Sequence, residues 1–166
     1  IGKRDVYPIL IKGLGRLEYR GYDSAGVAMI NTNGGLNVYK TKGKVADLES
    51  YCKDKDVSGN IGIAHTRWAT HGEPSSVNAH PHFSQSGNLA IIHNGIIENY
   101  IELRKKLESL GYEFKSDTDT ETASALLDYL YKETGNIVDA IKKFKEEAKG
   151  SYALGVICDD ELDKLY

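Results

Sequence analysis

The sequence predicts an α+β protein in which antiparallel sheets are covered by helices. Short apolar runs of strand length occur as neighbours along the chain, and amphipathic helical segments are grouped. Strands and helices do not alternate as they do in a doubly wound parallel sheet. The 166 residues fit one ordinary domain that is large enough to bury a core.

The N-terminal half is predicted to contain two helices and three strands. The first helix has an apolar face, a capping Asp5 and an early Pro8, where a missing N–H costs least. Its apolar face is formed by Val6, Ile9, Leu10, Leu14 and Leu17. The elements are helices over 5–17 and 45–52, a hairpin of strands 27–30 and 36–43, and a strand over 60–68.

The C-terminal half begins with a long loop, 72–87, that contains two prolines. Thr118 and Glu121 form the pattern of a capping box at the start of the second helix that follows. The elements are strands over 88–95 and 151–159 and helices over 99–112, 116–133 and 137–150. Apolar residues in two of the strands are expected to be buried between layers: Ile61, Ile63, Ala90 and Ile92.

Composition excludes several classes of function. The net charge is −3 and the basic residues are dispersed, so no stripe suited to nucleic acid is present. No apolar run approaches the roughly 18 residues of a membrane span, and the opening segment lacks the features of a signal peptide. Two cysteines are too few for a disulfide framework. We therefore expect a cytoplasmic protein with no nucleic-acid or membrane partner.

Four of the five histidines lie in "HTRWATHGEPSSVNAHPHF", residues 65–83. His80 and His82 have no Cys, Asp or Glu at ligand spacing, and His65 and His71 lack the i,i+4 spacing of a zinc-protease helix. We expect no metal and no other cofactor. His80 and His82 are expected to bond to backbone or solvent.

Three other features have both a functional and a structural interpretation. Arg67, at a strand end beside Trp68, suits recognition of a carboxylate, but it could form a surface ion pair. Asn94 and Gly95 could supply two donors to an oxyanion, but Asn-Gly is also a common turn. Asp119 could bind an ammonium group, or only compensate the dipole of a helix.

Four segments together resemble a known family. They are "EYRGYDSAG" at 18–26, "HTRWATHGEP" at 65–74, "HNGIIEN" at 93–99 and "SDTDTE" at 116–121. In this order they are similar to the N-terminal glutaminase domains of the glutamine–fructose-6-phosphate aminotransferase family, which are class II glutamine amidotransferases. The resemblance covers essentially the whole chain. Amidotransferases that act on phosphoribosyl pyrophosphate carry looser versions of these segments.

The resemblance implies an N-terminal-nucleophile hydrolase fold, a four-layer α/β/β/α sandwich of two antiparallel sheets. It also implies glutamine hydrolysis, with ammonia passed to fructose 6-phosphate to give glucosamine 6-phosphate in amino-sugar biosynthesis. Arg67 and Asp119 are implied to bind the α-carboxylate and α-ammonium of glutamine. Asn94 and Gly95 are implied to form the oxyanion hole. Trp68 is implied to gate ammonia exit, Thr70 and His71 to line the glutamine pocket, and the complete enzyme to be a homodimer.

One family feature has no counterpart in residues 1–166. The family's nucleophile is a cysteine at the mature N-terminus, upstream of the position that Ile1 takes here. Neither Cys52 nor Cys158 has a free α-amine beside its thiol. We therefore interpret 1–166 as a glutaminase domain fragment without its first strand, its C-terminal part and the sugar-isomerase domains, and we expect it to be inactive alone. A non-catalytic glutamine-binding regulatory module remains an alternative, as does another class II amidotransferase.

Overall fold

A computed structural model describes residues 1–68 and 72–166. A 3₁₀ turn, Glu18–Arg20, follows the first helix. The helices are α1 (Tyr7–Leu17), α2 (Val45–Cys52), α3 (Tyr100–Ser109), α4 (Asp119–Thr134) and α5 (Ile137–Glu147). The strands are β1 (Ser24–Ile30), β2 (Leu36–Lys42), β3 (Ile61–Arg67), β4 (His82–Phe83), β5 (Leu89–Ile97) and β6 (Gly150–Cys158).

The strands form two antiparallel sheets of three strands each, in the orders β2-β1-β3 and β4-β5-β6. The sheets pack against each other through a cluster of buried apolar side chains that both contribute. Ile61, Ile63 and Ala90 are buried in this cluster, and Ile92 is half-buried at its margin. The predicted α+β class with antiparallel sheets is therefore confirmed.

Helices cover the outer face of each sheet and complete four layers. Helices α1 and α2 pack on the β2-β1-β3 sheet around Leu14 and Leu48. Helices α3, α4 and α5 form the other outer layer around Leu107, Leu126 and Phe144. Because α4 packs on β5, its N-terminus is held beside that strand.

The inward face of α1 differs from the prediction. Ile9 is 58% exposed, whereas Ile11 is buried with Leu14. The buried stripe follows positions 7, 11 and 14 at the helical repeat, which places Ile9 on the opposite side. The cap also differs, because Val6 is the N-cap and the Asp5 carboxylate accepts from the backbone N–H of Gly59 instead.

Boundaries elsewhere shift by a few residues. Strand β5 continues to Ile97, two residues beyond the predicted end, because it stays paired with β6 as far as Gly150. Helix α3 ends at Ser109, three residues before its predicted end. Half of the predicted capping box is present: the Thr118 hydroxyl accepts from Glu121 N–H at 3.2 Å, but the Glu121 carboxylate accepts from the N–H groups of Lys115 and Ser116 instead of Thr118 N–H.

Within the described ranges, no helix has the length and apolar character needed to cross a bilayer.

Replacing Phe144 by alanine tests the packing of the outer helical layer. Phe144 is 1% exposed and its ring meets Tyr152 edge-on at 5.8 Å between centroids. We expect Phe144→Ala to lower the free energy of unfolding by about 3–5 kcal/mol in urea denaturation. Val138→Ala, at an exposed position on the same helix, should change it by less than about 0.5 kcal/mol. Equal effects of the two changes would contradict the assigned core.

Candidate functional site

A cavity of about 710 Å³ opens where β3 ends, beside β5 and the N-terminus of α4. This volume is in the range of small-molecule sites. Five residues that the sequence singled out line it: Arg67, Trp68, Asn94, Gly95 and Asp119. The other two, Thr70 and His71, lie outside the described residues.

Arg67 is the last residue of β3 and its side chain is buried. One guanidinium nitrogen lies 4.0 Å from the Asp23 carboxylate, and another donates to the Gly72 carbonyl at 3.4 Å. Backbone pairing between Asp23 N–H and the Arg67 carbonyl, at 2.9 Å, fixes the strand end. A buried cation is thus held at the cavity wall by the residue before β1 and by the chain segment that follows β3.

Asp119 is the first residue of α4 and is also buried. Its Oδ2 accepts from the backbone N–H of Ile97 at 3.0 Å. Its Oδ1 lies 3.7 Å from His93 Nδ1. The structure therefore places a buried carboxylate and a buried guanidinium in the walls of one cavity.

Asn94 reaches the cavity from β5, with its amide orientation fixed by β3. The Asn94 Oδ1 atom is 2.9 Å from His65 Nε2, which must donate because an amide oxygen can only accept. The carbonyl side of the amide is therefore occupied, and its NH₂ group remains to donate elsewhere. An NH₂ donor beside the cavity is what stabilisation of an oxyanion requires.

The next residue, Gly95, must be glycine because of its backbone conformation and the close approach of β6. It has φ of 120° and pairs with Tyr152 of β6. A Cβ atom at this position would lie 2.2 Å from the Ser151 carbonyl oxygen. Only glycine combines this backbone conformation with so close an approach.

Trp68 lies at the cavity mouth, 67% exposed, with its ring against Gly21. Its proposed role in gating stays a prediction.

Sequence reasoning missed a group of side chains in the cavity wall: His65, His80, His93 and Thr120. The prediction that His80 bonds to backbone or solvent is wrong, because its two nitrogens face His65 Nδ1 at 3.2 Å and Thr120 Oγ1 at 2.9 Å. The same prediction fails in part for His82, which bonds to the Asn78 backbone but also faces Thr118 Oγ1 at 3.0 Å.

His80 is brought into the site by three residues that form one row across the β2-β1-β3 sheet: Lys40, Gly26 and His65. We call this the docking row. Lys40 donates to the Ala79 carbonyl at 2.8 Å, and a Cβ atom at Gly26 would lie 2.2 Å from the His80 carbonyl oxygen. The described part of the long loop is thus packed on the sheet. A glycine within a strand is the one sequence signal of such a close approach.

Burial also determines the charge state of these histidines. It lowers the pKa of His65 and His93, and lowers the pKa of His80 and His82 well below the ordinary value. The four rings are therefore largely neutral at pH 7. Burial lowers the pKa of Lys40 to about 8, so that Lys40 is mostly charged at neutral pH.

The two cysteines lie outside the cavity. Cys52 is buried with the α1 and α2 side chains, and Cys158 is buried among the α3–α5 side chains. Burial raises the pKa of both thiols. A buried thiol with a raised pKa is a poor nucleophile.

A family model described as a glutamine amidotransferase domain matches residues 65–166. The match includes the Arg67, Asn94, Gly95 and Asp119 positions. The chain belongs to this family. In these terms, the cavity is the candidate active site of a glutamine amidotransferase domain.

Curated relatives extend the similarity over nearly the whole chain. Glutamine–fructose-6-phosphate aminotransferase (isomerizing) of Bacteroides thetaiotaomicron is 61% identical over 167 residues, which cover 99% of this chain and 27% of that protein. The protein of the same name from Clostridium acetobutylicum is 54% identical, covering 99% of this chain and 26% of the relative. The chain thus spans about a quarter of the length of these relatives.

Solved structures share the fold. Glutamine phosphoribosylpyrophosphate amidotransferase from B. subtilis, complexed with ADP and GMP, aligns with a TM-score of 0.77 and 30% identity. The alignment covers 95% of this chain and 34% of that chain. A structure of the allosteric regulatory enzyme of purine biosynthesis gives a TM-score of 0.76 and 31% identity over 94% of this chain and 34% of that chain. The amidotransferase domain therefore has the N-terminal-nucleophile hydrolase fold that the resemblance implied.

Replacing Gly95 by alanine tests whether the close approach of β6 shapes the site. A left-handed backbone conformation alone costs a residue other than glycine about 1–2 kcal/mol. We expect Gly95→Ala to lower the free energy of unfolding by more than this, because the added Cβ atom also clashes with the Ser151 carbonyl oxygen. Gly87→Ala is the matched control, since Gly87 also has positive φ but no atom within 4 Å of its Cβ position. Urea denaturation of both variants measures the difference. Equal losses of unfolding free energy in the two variants would mean that β6 moves away from the added Cβ atom without destabilising the domain.

Proposed function

We propose that this amidotransferase domain binds glutamine and hydrolyses its side-chain amide. In the complete protein, the ammonia is passed to fructose 6-phosphate, which gives glucosamine 6-phosphate for amino-sugar biosynthesis. The observation that carries this proposal is the orientation of Asn94, whose amide oxygen faces His65 and leaves the NH₂ group free to donate, in a cavity lined also by Gly95, Arg67 and Asp119.

The α-carbon of glutamine carries a negative carboxylate and a positive ammonium group, and the cavity wall contains a positive and a negative side chain. Arg67 would bind the α-carboxylate and Asp119 the α-ammonium group. Both groups are buried, so their interactions with a bound amino acid are weakly screened by water. Fixing both substituents would direct the side-chain amide toward Asn94 and Gly95.

The proposed reaction proceeds through a covalent intermediate, as the family resemblance implies. A thiolate attacks the amide carbon, and the C=O electron pair moves onto oxygen, where the Asn94 NH₂ and the Gly95 N–H stabilise it. Collapse of this tetrahedral species breaks the C–N bond and releases ammonia after proton transfer to nitrogen. Water then cleaves the thioester to give glutamate. The nucleophile is assigned to neither Cys52 nor Cys158, because both are buried away from the cavity.

The acceptor is proposed from the relatives. The aminotransferases named for fructose 6-phosphate are 61% and 54% identical to this chain, whereas the phosphoribosylpyrophosphate enzyme is 30% identical. This difference favours fructose 6-phosphate over phosphoribosyl pyrophosphate. A cytoplasmic location and a homodimer of the complete protein are part of the same proposal.

The test separates binding from chemistry in the natural full-length protein, with glutamate release as the assay. Asn94→Ala should lower kcat by about 100- to 1,000-fold with little change in KM, because the donor acts on charge that develops in the transition state. Arg67→Lys should raise KM for glutamine about 10- to 100-fold, because one ammonium cannot replace a bidentate guanidinium.

Asn33→Ala, in the exposed β1–β2 turn, is the matched control and should have no effect on either constant. If the wild-type protein binds glutamine but releases no glutamate, it is a glutamine-binding module and the catalytic proposal fails. An unchanged kcat in Asn94→Ala would exclude the oxyanion role.

The cysteines provide a separate prediction. Cys52→Ala and Cys158→Ala should each retain glutaminase activity in the full-length protein, because neither thiol reaches the cavity. A polypeptide of residues 1–166 with Ile1 as its first residue should release glutamate only slowly. Sites that lack their nucleophile retain a rate about 1,000- to 10,000-fold above the uncatalysed reaction in water, and we expect no more than this. Labelling of either cysteine by an electrophilic glutamine analogue, detected by mass spectrometry, would contradict this assignment.

A further inference from the structure

Three side chains, His65, His80 and Thr120, connect Asn94 to the buried N-terminus of α4 by consecutive hydrogen bonds, and a fourth, His93 of β5, bonds to Thr120. His93 Nδ1 is 2.9 Å from Thr120 Oγ1, which is 2.9 Å from His80 Nε2. His80 Nδ1 is 3.2 Å from His65 Nδ1, and His65 Nε2 is 2.9 Å from Asn94 Oδ1. We call this path, His93–Thr120–His80–His65, the histidine relay.

Neutral rings give the relay only one arrangement of protons. Because Asn94 Oδ1 accepts, His65 carries its proton on Nε2 and accepts at Nδ1. His80 must then donate from Nδ1 and accept at Nε2, so the Thr120 hydroxyl donates to His80. Thr120 Oγ1 in turn accepts from His93 Nδ1. Every proton in the path is fixed by the one before it.

The structure keeps the rings in the neutral form that this arrangement needs. His80 and His93 are almost fully buried, and burial lowers the pKa of His65, His80 and His93. Thr120 has an alternative acceptor in Asp119 Oδ1, but that atom is 3.5 Å away, compared with 2.9 Å for His80 Nε2. The shorter contact favours donation to His80.

We propose that the histidine relay is a positioning device that holds the Asn94 amide with its NH₂ group toward the cavity, and that the Thr120 hydroxyl sets its direction. A flipped amide would present its carbonyl oxygen to a developing oxyanion and would repel it. The relay therefore acts on the transition state through the orientation of Asn94. This inference rests on the proposed glutamine hydrolysis.

Thr120 and Thr122 give a matched pair on the same helix. Both are buried threonines of α4, but among the described residues Thr122 Oγ1 has no hydrogen-bond partner. Thr120→Val removes the hydroxyl with little change in shape, whereas Thr120→Ser keeps it. Thr122→Val removes a hydroxyl that is outside the relay.

In the full-length protein, Thr120→Val should lower kcat for glutamate release by at least about 10-fold, a part of the 100- to 1,000-fold effect of losing an oxyanion donor. KM should stay within about 2-fold, because a misplaced donor affects the transition state more than binding. Thr120→Ser should recover most of the rate, and Thr122→Val should match wild type. Equal rates in Thr120→Val and Thr122→Val would overturn the proposal, as would a raised KM with unchanged kcat, which would indicate a disturbed Asp119.

The proton positions can be measured without any activity. In the ¹⁵N NMR spectrum of histidine-labelled protein without glutamine, His65 should be the Nε2–H tautomer, and His80 and His93 the Nδ1–H tautomers. In Thr120→Val, the His80 signal should lose its single-tautomer pattern, while Thr122→Val leaves it intact. A proton on His65 Nδ1 in the wild-type protein would overturn the relay. If the tautomers are as stated but glutamate is not released, the relay's direction stands and the proposed function alone fails.

Discussion

The hydrogen bond between His65 and Asn94 joins the two sheets at the point where the cavity opens. His65 belongs to β3 and Asn94 to β5, and these strands lie in different sheets. Apolar packing between the sheets is non-directional, so it brings the strands together without fixing the rotation of any polar group. The 2.9 Å bond supplies that orientation. Arg67 and Asp119 take their places from the same two strands, one as the end of β3 and one through the β5 backbone at Ile97.

Local elements were predictable from sequence, whereas the polar interior of the site was not. The sequence pattern located α2, and the spacing of Thr118 and Glu121 located the cap of α4, because both depend on residues close in the chain. Periodicity misplaced the inward face of α1, since several helical stripes contain apolar residues and packing selects one of them. For Arg67, Asn94 and Asp119 the residue types suggested a functional role beside a structural one, and only the family resemblance decided between them, because their convergence depends on contacts between distant segments.

The histidines show why such a network is hard to read from sequence. Taken individually, His80 and His82 have no ligand spacing in the sequence, so bonding to backbone or solvent was the simplest interpretation, and His82 does bond to the Asn78 backbone. Their side-chain partners are 15, 40 and 36 positions away, on β3, in the first turn of α4 and at the N-cap of α4. Charged imidazoles would be costly to bury, and the lowered pKa values of His65 and His80 show that the site instead holds them as neutral donors and acceptors.

The docking row makes the candidate active site sensitive to the register between strands. Lys40, Gly26 and His65 lie opposite one another across three strands, and together they seat Ala79 and His80. Neighbouring residues of a strand point to opposite faces, so a slip of β1 by one residue would exchange Gly26 for Ala25 or Val27 and turn the row away. A one-residue change of register in the β1–β2 hairpin would therefore remove the contacts that hold Ala79 and His80 against the sheet, in addition to moving the apolar side chains of β1.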